Sequence, residues 1–318
     1  MTTTPTTVAA PTPYRVIECS GREEWLAARA ARLGDGTWPI SASEAAAAMG
    51  LDPWTSPPEL YAVKKGIMPR KAENVKMVWG RRLQRAIANG FAEDTGREVI
   101  DLGEYTILEH RELPWLRCTL DYIEVDPKKG EGCLEIKNTT LGGGWEDEPP
   151  LHYQIQNQIQ MFVRGTSYGT PAALVSGWEL RWADIDRNDV FLKRAISKLE
   201  EFQWRLKTST PPAAGAEAVE SAREAYKALY PRDTGETIAL NADACAILDQ
   251  LLKAEATEKV SKEQAELLKL QIKQRLRTAT HGVLPDGRRV SWKTQVRHDP
   301  PREAKETEIR VFRVHKAT

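Results

Sequence analysis

The chain has 318 residues, 41% of them hydrophobic and 28% charged, which fits an ordinary globular protein of one large domain or one domain with an appendage. Lys plus Arg and Asp plus Glu both total 45, so the formal net charge of +0 excludes a globally basic nucleic-acid binder and leaves only local basic surfaces. Four scattered cysteines without a C-x-x-C pair, and no apolar run near the ~20 residues of a membrane helix, argue against a disulfide scaffold, a zinc ribbon and a membrane span, and predict a cytoplasmic location.

In chain order, residues 1–13 are rich in Thr and Pro, lack the basic and apolar regions of a signal peptide, and read as a disordered tail. From Tyr14 a short apolar run leads into the helical stretch REEWLAARAARLG. ISASEAAAAMG predicts a helix capped by Ser41 or Ser43, and TSPPELYAVKKG a second one capped by Ser56 with prolines in its first turn. Val78, Leu83, Ile87 and Phe91 recur at helical spacing between Asn74 and Gly96. The period then shortens to that of strands in REVIDLGEYTILEH, WLRCTLDYIEV and GCLEIKNTT. PLHYQIQNQIQMFVRG reads as a helix, AALVSGWELRWADID as two strands, and DVFLKRAISKLEEFQWRLKT as a long amphipathic helix. Helices, a mainly antiparallel run of strands, then helix, strands and helix predict an α+β fold, an α/β sandwich with a mixed central sheet. A core over 14–212 and a C-terminal extension over 213–318 are expected, the latter made of a helical hairpin broken near Lys259–Lys262, a β-hairpin around Pro285-Asp286-Gly287 and a basic strand-like tail.

The chemistry concentrates in CTLDYIEVDPKKGEGCLEIKNTT. Residues i and i+2 share a strand face, so Glu135 and Lys137 point the same way, and a hairpin through Asp126–Gly130 brings Asp121 towards them. Two carboxylates suit a hard divalent cation, and a neighbouring lysine can orient water and offset phosphate charge. Taken alone, the D…E-x-K spacing equally describes a cross-strand salt bridge. Leu134, Ile136 and Cys133 indicate a buried strand, where unpaired charge is unfavourable.

From about Trp25 to Lys207 the chain resembles the lambda-exonuclease or YqaJ-type viral recombinase family of the PD-(D/E)XK nuclease superfamily. The resemblance is carried in order by EWLAAR, ISASEAAAAMGLDPWTSPPELYAVKKG, WGRRLQRAIANGFAEDTG, TLDYI, LEIKNT, YQIQNQIQMFVRG and FLKRAISKLEEFQWRL. It implies a PD-(D/E)XK core in which Asp121 and Glu135 bind metal and Lys137 is catalytic. In the Y-x-x-Q-x-Q helix motif it implies a catalytic role for Gln156, beside the nuclease centre and joined there by Gln84, and DNA or 5′-phosphate binding for Tyr153 and Gln158. Arg29 and Ser43 match positions facing the DNA 5′-phosphate, with Thr119 a further candidate there. The family's G-x-x-x-E helix motif reads Gly80-Arg81-Arg82-Leu83-Gln84, so a neutral amide stands where the family has a carboxylate.

The resemblance implies a Mg²⁺-dependent exonuclease, with Mn²⁺ as a substitute. It would act 5′ to 3′ on linear double-stranded DNA ends, releasing mononucleotides and leaving a 3′ overhang for a single-strand annealing protein in phage-type recombination. A homotrimer around DNA is the implied assembly. An endonuclease or structure-specific nuclease on the same core, and a DNA-binding protein weakened at Gln84, are the alternatives.

Overall fold

The computed structural model describes residues 12–140, 145, 148–232, 242–276, 281–283 and 289–291. They fall into two compact units divided between Pro231 and Arg232. The first unit opens with β1 (Tyr14–Glu18), α1 (Arg22–Ala30), β2 (Ile40–Ser41), α2 (Ala42–Ala48), α3 (Pro57–Lys64) and α4 (Val75–Thr95). Next come β3 (Glu98–Ile100), β4 (Thr106–His110), β5 (Leu116–Cys118), β6 (Tyr122–Asp126), β7 (Gly130–Thr139) and α5 (Leu151–Arg164). It closes with β8 (Tyr168–Val175), β9 (Glu179–Trp182), β10 (Ile185–Asp186), α6 (Asp189–Thr208) and α7 (Val219–Leu229).

The expected stop signals act where they were read. Ser56 Oγ accepts from Glu59 N at the start of α3, and Asn74 Oδ1 accepts from Met77 N at 3.0 Å at the start of α4. Gly96, in the left-handed region at φ 68°, ends α4. Of the two serines before α2, Ser41 is the cap: Glu44 Oε2 reaches back to accept Ser41 N at 2.9 Å, completing a capping box. Ser43 is thereby left in the first turn with its hydroxyl available for other work.

The central sheet has the order β10-β8-β7-β6-β3, with β9 also paired to β8. β6 and β7 form the expected antiparallel hairpin, Tyr122 opposite Leu134 and Asp126 opposite Gly130. β7 and β8 are parallel, Glu135 opposite Pro171, and α5 makes the crossover between them. A smaller sheet, β1-β4-β5-β2, lies beside it. Alternation along β7 divides the core. Leu134 and Ile136 join Ile87, Ala88 and Phe91 of α4 on one face. Cys133 joins Ile155 and Ile159 of α5 and the small residues Ala45 and Ala46 of α2 on the other. Helices therefore cover both faces of a mixed sheet, the α+β sandwich expected.

Gly169 fixes how closely α5 lies against that sheet. A Cβ there would stand 2.5 Å from Asn157 Oδ1 and 2.9 Å from the Cys133 carbonyl oxygen. Asn157 is fully buried and its Nδ2 donates to that carbonyl at 3.2 Å, so neither neighbour can retreat freely. Gly169→Ala is expected to lower stability by about 1–3 kcal/mol through overpacking, read as a lower urea midpoint with an unchanged m-value.

The first unit extends past the boundary expected after residue 212. Its α7 packs on α3: Ser221 Oγ accepts from Ser56 N at 2.8 Å and Ala222 and Ala225 are buried. By composition alone this stretch, STPPAAGAEAVESA, reads as a linker or surface loop. At the N-terminus, residues 1–11 of the expected tail lie outside the described residues, whereas Pro13 O accepts from Arg111 N at 2.8 Å and so prolongs the β1–β4 pairing.

The second unit corrects one expectation. Residues 242–276 form a single helix, α8 (Ala242–Leu276), instead of a helical hairpin. Lys259–Lys262 contains neither Gly nor Pro, and the i, i+4 ion pair from Lys262 to Glu258 at 2.6 Å bridges the proposed break. β11 (His281–Val283) and β12 (Arg289–Ser291) pair antiparallel, His281 opposite Ser291. The Pro285-Asp286-Gly287 turn and the basic C-terminal run lie outside the described residues. Among the described residues, no helix is long and apolar enough to cross a membrane.

Candidate active site

β6 and β7 bring the expected acids and lysine together. Asp121 immediately precedes β6, opposite Glu135 by continuation of the hairpin register, and its Oδ2 accepts from Ile136 N at 2.8 Å. Lys137 Nζ lies 2.7 Å from Glu135 Oε1. Gln156, on α5, joins both: its Nε2 donates to Glu135 Oε1 at 2.6 Å and its Oε1 accepts from Lys137 Nζ at 3.1 Å. Gln84 completes the group from α4, where its side chain donates to Asp121. The hydroxyphenyl ring of Tyr153 lies under the ammonium, 4.7 Å from centroid to Lys137 Nζ.

One member of this group is not among the expected residues. Gln160 is fully buried and donates from Nε2 to Glu135 Oε2 at 2.6 Å. It stands four residues after Gln156, on the same helix face, and that spacing is the signal by which the sequence could have given it up. Gln158 goes elsewhere. Its Nε2 donates to Asp186 O at 2.7 Å and its Oε1 accepts from Asn188 N at 2.9 Å, so both ends of the amide tie α5 to the β10–α6 connection.

The electrostatics of the carboxylate pair are unbalanced. Burial first, and then the Glu135 carboxylate, push Asp121 up to about 8, against the opposing pull of Lys137, the Ile136 N–H and Gln84. Burial works against the Lys137 ammonium, yet Glu135 and Asp121 keep its pKa above the ordinary lysine value. Two buried carboxylates that resist joint ionisation are a donor set that a hard divalent cation would relieve. Glu135 already accepts three donors on two oxygens, which leaves one lone-pair direction on Oε2. Among the described residues, no group of three or more His, Cys, Asp or Glu side chains is placed to hold a metal, so the available set is Asp121 and Glu135 with Gln84 as a neutral neighbour.

A second cluster lies one short peptide away. Arg29, at the end of α1, is buried, and its terminal nitrogen donates to Ser41 Oγ at 2.7 Å and Ser43 Oγ at 3.0 Å. Its guanidinium stacks 4.3 Å over the ring of Trp25, whose Nε1 donates to Thr119 Oγ1 at 2.9 Å. Arg29 Nε is buried and has no hydrogen-bond partner among the described residues. Behind it, Lys64 Nζ meets Glu44 Oε2 at 2.8 Å and Pro39 O at 2.6 Å. Burial works to raise the Glu44 carboxyl, but the charges of Lys64 and Arg29 outweigh it and hold the pKa at about 2. Arg29, Ser43 and Thr119 are thus gathered as expected, while Tyr153 belongs to the carboxylate centre. Trp25 and Glu44 were not anticipated, and Ser41 was read only as a helix cap.

An acid before one central strand, Glu-x-Lys on the next and a glutamine helix crossing between parallel strands are the arrangement that the sequence resemblance to PD-(D/E)XK nucleases implies. Residues 24–168 match the model of the YqaJ-like viral recombinase domain. The resemblance read from the sequence is thereby borne out. The chain is also similar to the uncharacterized protein YqaJ of Bacillus subtilis, at 28% identity over 270 residues, covering 83% of this chain and 81% of that protein. Among solved structures, the alkaline exonuclease LHK-Exo from Laribacter hongkongensis aligns at 19% identity and a TM-score of 0.47, over 59% of this chain and 94% of its own. A phage-related exonuclease from Haemophilus somnus 129PT aligns at 11% identity and a TM-score of 0.41, over 54% of this chain and 95% of its own.

Proposed function

We propose that the chain is a Mg²⁺-dependent deoxyribonuclease that digests one strand of linear double-stranded DNA from the 5′ end and leaves a 3′ overhang. The observation that carries this reading is the convergence of Asp121, Glu135, Lys137 and Gln156 beside a buried arginine with an unpartnered Nε. Mg²⁺, or Mn²⁺ in its place, held by Asp121 and Glu135, would supply Lewis acidity at the phosphate and lower the pKa of water. Lys137 stays cationic, orients the attacking water and offsets charge developing on the phosphoryl oxygens. Gln156 bridges Lys137 and Glu135, and Gln160 locks the far oxygen of Glu135. Arg29, with Ser43 and Thr119 around it, presents donors to a terminal 5′-phosphate. A cytoplasmic location, a homotrimer enclosing DNA and delivery of the overhang to a single-strand annealing protein complete the reading; light scattering at working concentration tests the trimer.

Digestion of 5′-phosphorylated linear duplex and of closed circular DNA with Mg²⁺ tests the reaction. Loss of linear DNA alone supports the exonuclease, whereas nicked circles would replace it with an endonuclease. A second reading rests on Gln84, whose neutral amide donates to Asp121. If the centre binds DNA without cutting, Gln84→Glu is expected to restore cleavage by adding a third carboxylate. If the exonuclease reading holds, that substitution only lowers the Mg²⁺ concentration needed.

Stability carries a separate signature of the carboxylate pair. The folded pKa of Asp121, about 8, lies above the ordinary value near 3.9 of the unfolded chain, so the folded state binds more protons between those limits. Stability in EDTA is therefore expected to fall as pH rises from about 4 to about 8, by up to about 1.4 kcal/mol per pH unit for this group. Thermal melts across that range record the slope. Millimolar Mg²⁺ flattens it, and Asp121→Asn removes the contribution.

A further inference from the structure

Trp54 is 59% exposed, yet its backbone is held firmly. Asp52 Oδ1 accepts from Trp54 N at 2.9 Å and from Thr55 N at 2.7 Å, and Lys71 Nζ donates to Trp54 O at 3.4 Å. The indole stands edge-on to His152, with centroids 4.7 Å apart and planes at 84°. His152 meets Tyr153 at 4.1 Å and 61°, and the Tyr153 centroid is 4.7 Å from Lys137 Nζ. Three aromatic rings therefore run without interruption from solvent to the ammonium of the nuclease centre. Burial pushes the His152 imidazole below its ordinary pKa, against the pull of Asp52, so the middle ring is neutral at pH 7.

An outward-facing indole on a pinned turn leaves more than half of its surface open and has little entropy to lose on binding. Asp52, close enough to act on both His152 and Tyr153, makes the place unfavourable to a phosphate but not to an uncharged base. Each ring-to-ring step is of the same order as the rise of about 3.4 Å per nucleotide, so the ladder spans only a few nucleotides.

We propose that Trp54 is a positioning residue that stacks a nucleobase of the DNA strand passing Lys137, a few nucleotides from the scissile bond. This rests on the nuclease reading of the Asp121–Glu135–Lys137 centre. Stacking on an aromatic platform accepts any base, which suits an enzyme that must advance along arbitrary sequence.

The test uses the full chain and a short 5′-phosphorylated duplex carrying 2-aminopurine, or an abasic residue, at each of the first few positions. In Ca²⁺, wild type is expected to quench 2-aminopurine at one or two of these positions, and Trp54→Ala to abolish that quenching. In Mg²⁺, Trp54→Ala is expected to lower kcat/KM about 5- to 100-fold, chiefly through KM, with Trp54→Phe retaining most of the wild-type value. An abasic residue at the quenched position should slow wild type by a similar factor and leave Trp54→Ala unchanged. Equal melting temperatures of the variants show that the fold is intact. Unaltered quenching and digestion in Trp54→Ala would overturn the stacking role alone. Quenching lost in Trp54→Ala with no digestion by wild type would overturn the nuclease reading and keep the stacking role. Absence of DNA binding by wild type would overturn both.

Discussion

Lys137→Ala is expected to reduce Mg²⁺-dependent digestion of linear duplex by about 10²–10³-fold while leaving the affinity for Mg²⁺ unchanged or tighter. The two halves of that result come from one geometry. The ammonium is 2.7 Å from Glu135 Oε1 and 3.1 Å from Gln156 Oε1, so in the metal-free chain it partly neutralises the acids that a divalent cation would otherwise bind. Its removal deletes a competitor for the carboxylates and, on the proposed reading, the donor that faces the reacting phosphate. A residue that only balanced charge in the resting state would give the affinity change without the loss of turnover. Titration of Mg²⁺ by calorimetry beside single-turnover digestion separates these outcomes. A turnover loss below about tenfold would remove Lys137 from the chemical step.

Glu44→Gln is expected to cost about 3–5 kcal/mol of stability at pH 7, the range for breaking a buried ion pair and leaving its cation behind. Glu44 accepts from Lys64 Nζ at 2.8 Å and from Ser41 N at 2.9 Å, and its charge also faces the buried Arg29. Its folded pKa of about 2 lies below the unfolded value of 4.5. The stabilisation it provides is therefore full above pH 4.5 and is lost as pH falls through that window towards 2. Denaturant midpoints at pH 7 and pH 3 should differ less in Glu44→Gln than in wild type. Adding Lys64→Met should recover part of the loss at pH 7, because the stranded cation is then gone; a cycle showing simple additivity would refute the coupling.

The carboxylate centre was legible because its constraints are local. A charged turn, Asp126 to Gly130, sets the register of one hairpin, and a period of two puts Glu135 and Lys137 on one face. The Arg29 cluster was less so. Glu44 and Lys64 lie 20 positions apart on different helices, and nothing in their spacing distinguishes a buried pair from two solvated charges. Gln158 shows the converse error. It shares a motif with Gln156, yet two residues of helix turn it by roughly 200°, away from Glu135 and onto the β10–α6 connection. The start of α7 was hidden by the Pro- and Gly-bearing stretch that precedes it, although the helix's own small residues, Ser221, Ala222 and Ala225, are what let it lie close on α3. In α8, a change in apolar spacing was read as a break where no residue type enforces one.

Trp25 anchors Thr119 beside Arg29, and Asp121 follows Thr119 by two residues, with the buried Leu120 between them. A peptide advances at most about 3.3–3.6 Å per residue, so on the proposed reading end recognition and bond breaking are tied to opposite ends of a segment at most about 7 Å long. On the proposed reading this segment is a caliper: the fragment released at each cycle is set by the length of the protein's own backbone and not by the base sequence of the DNA. Lengthening it by one residue between Thr119 and Asp121 would change the size of the bite.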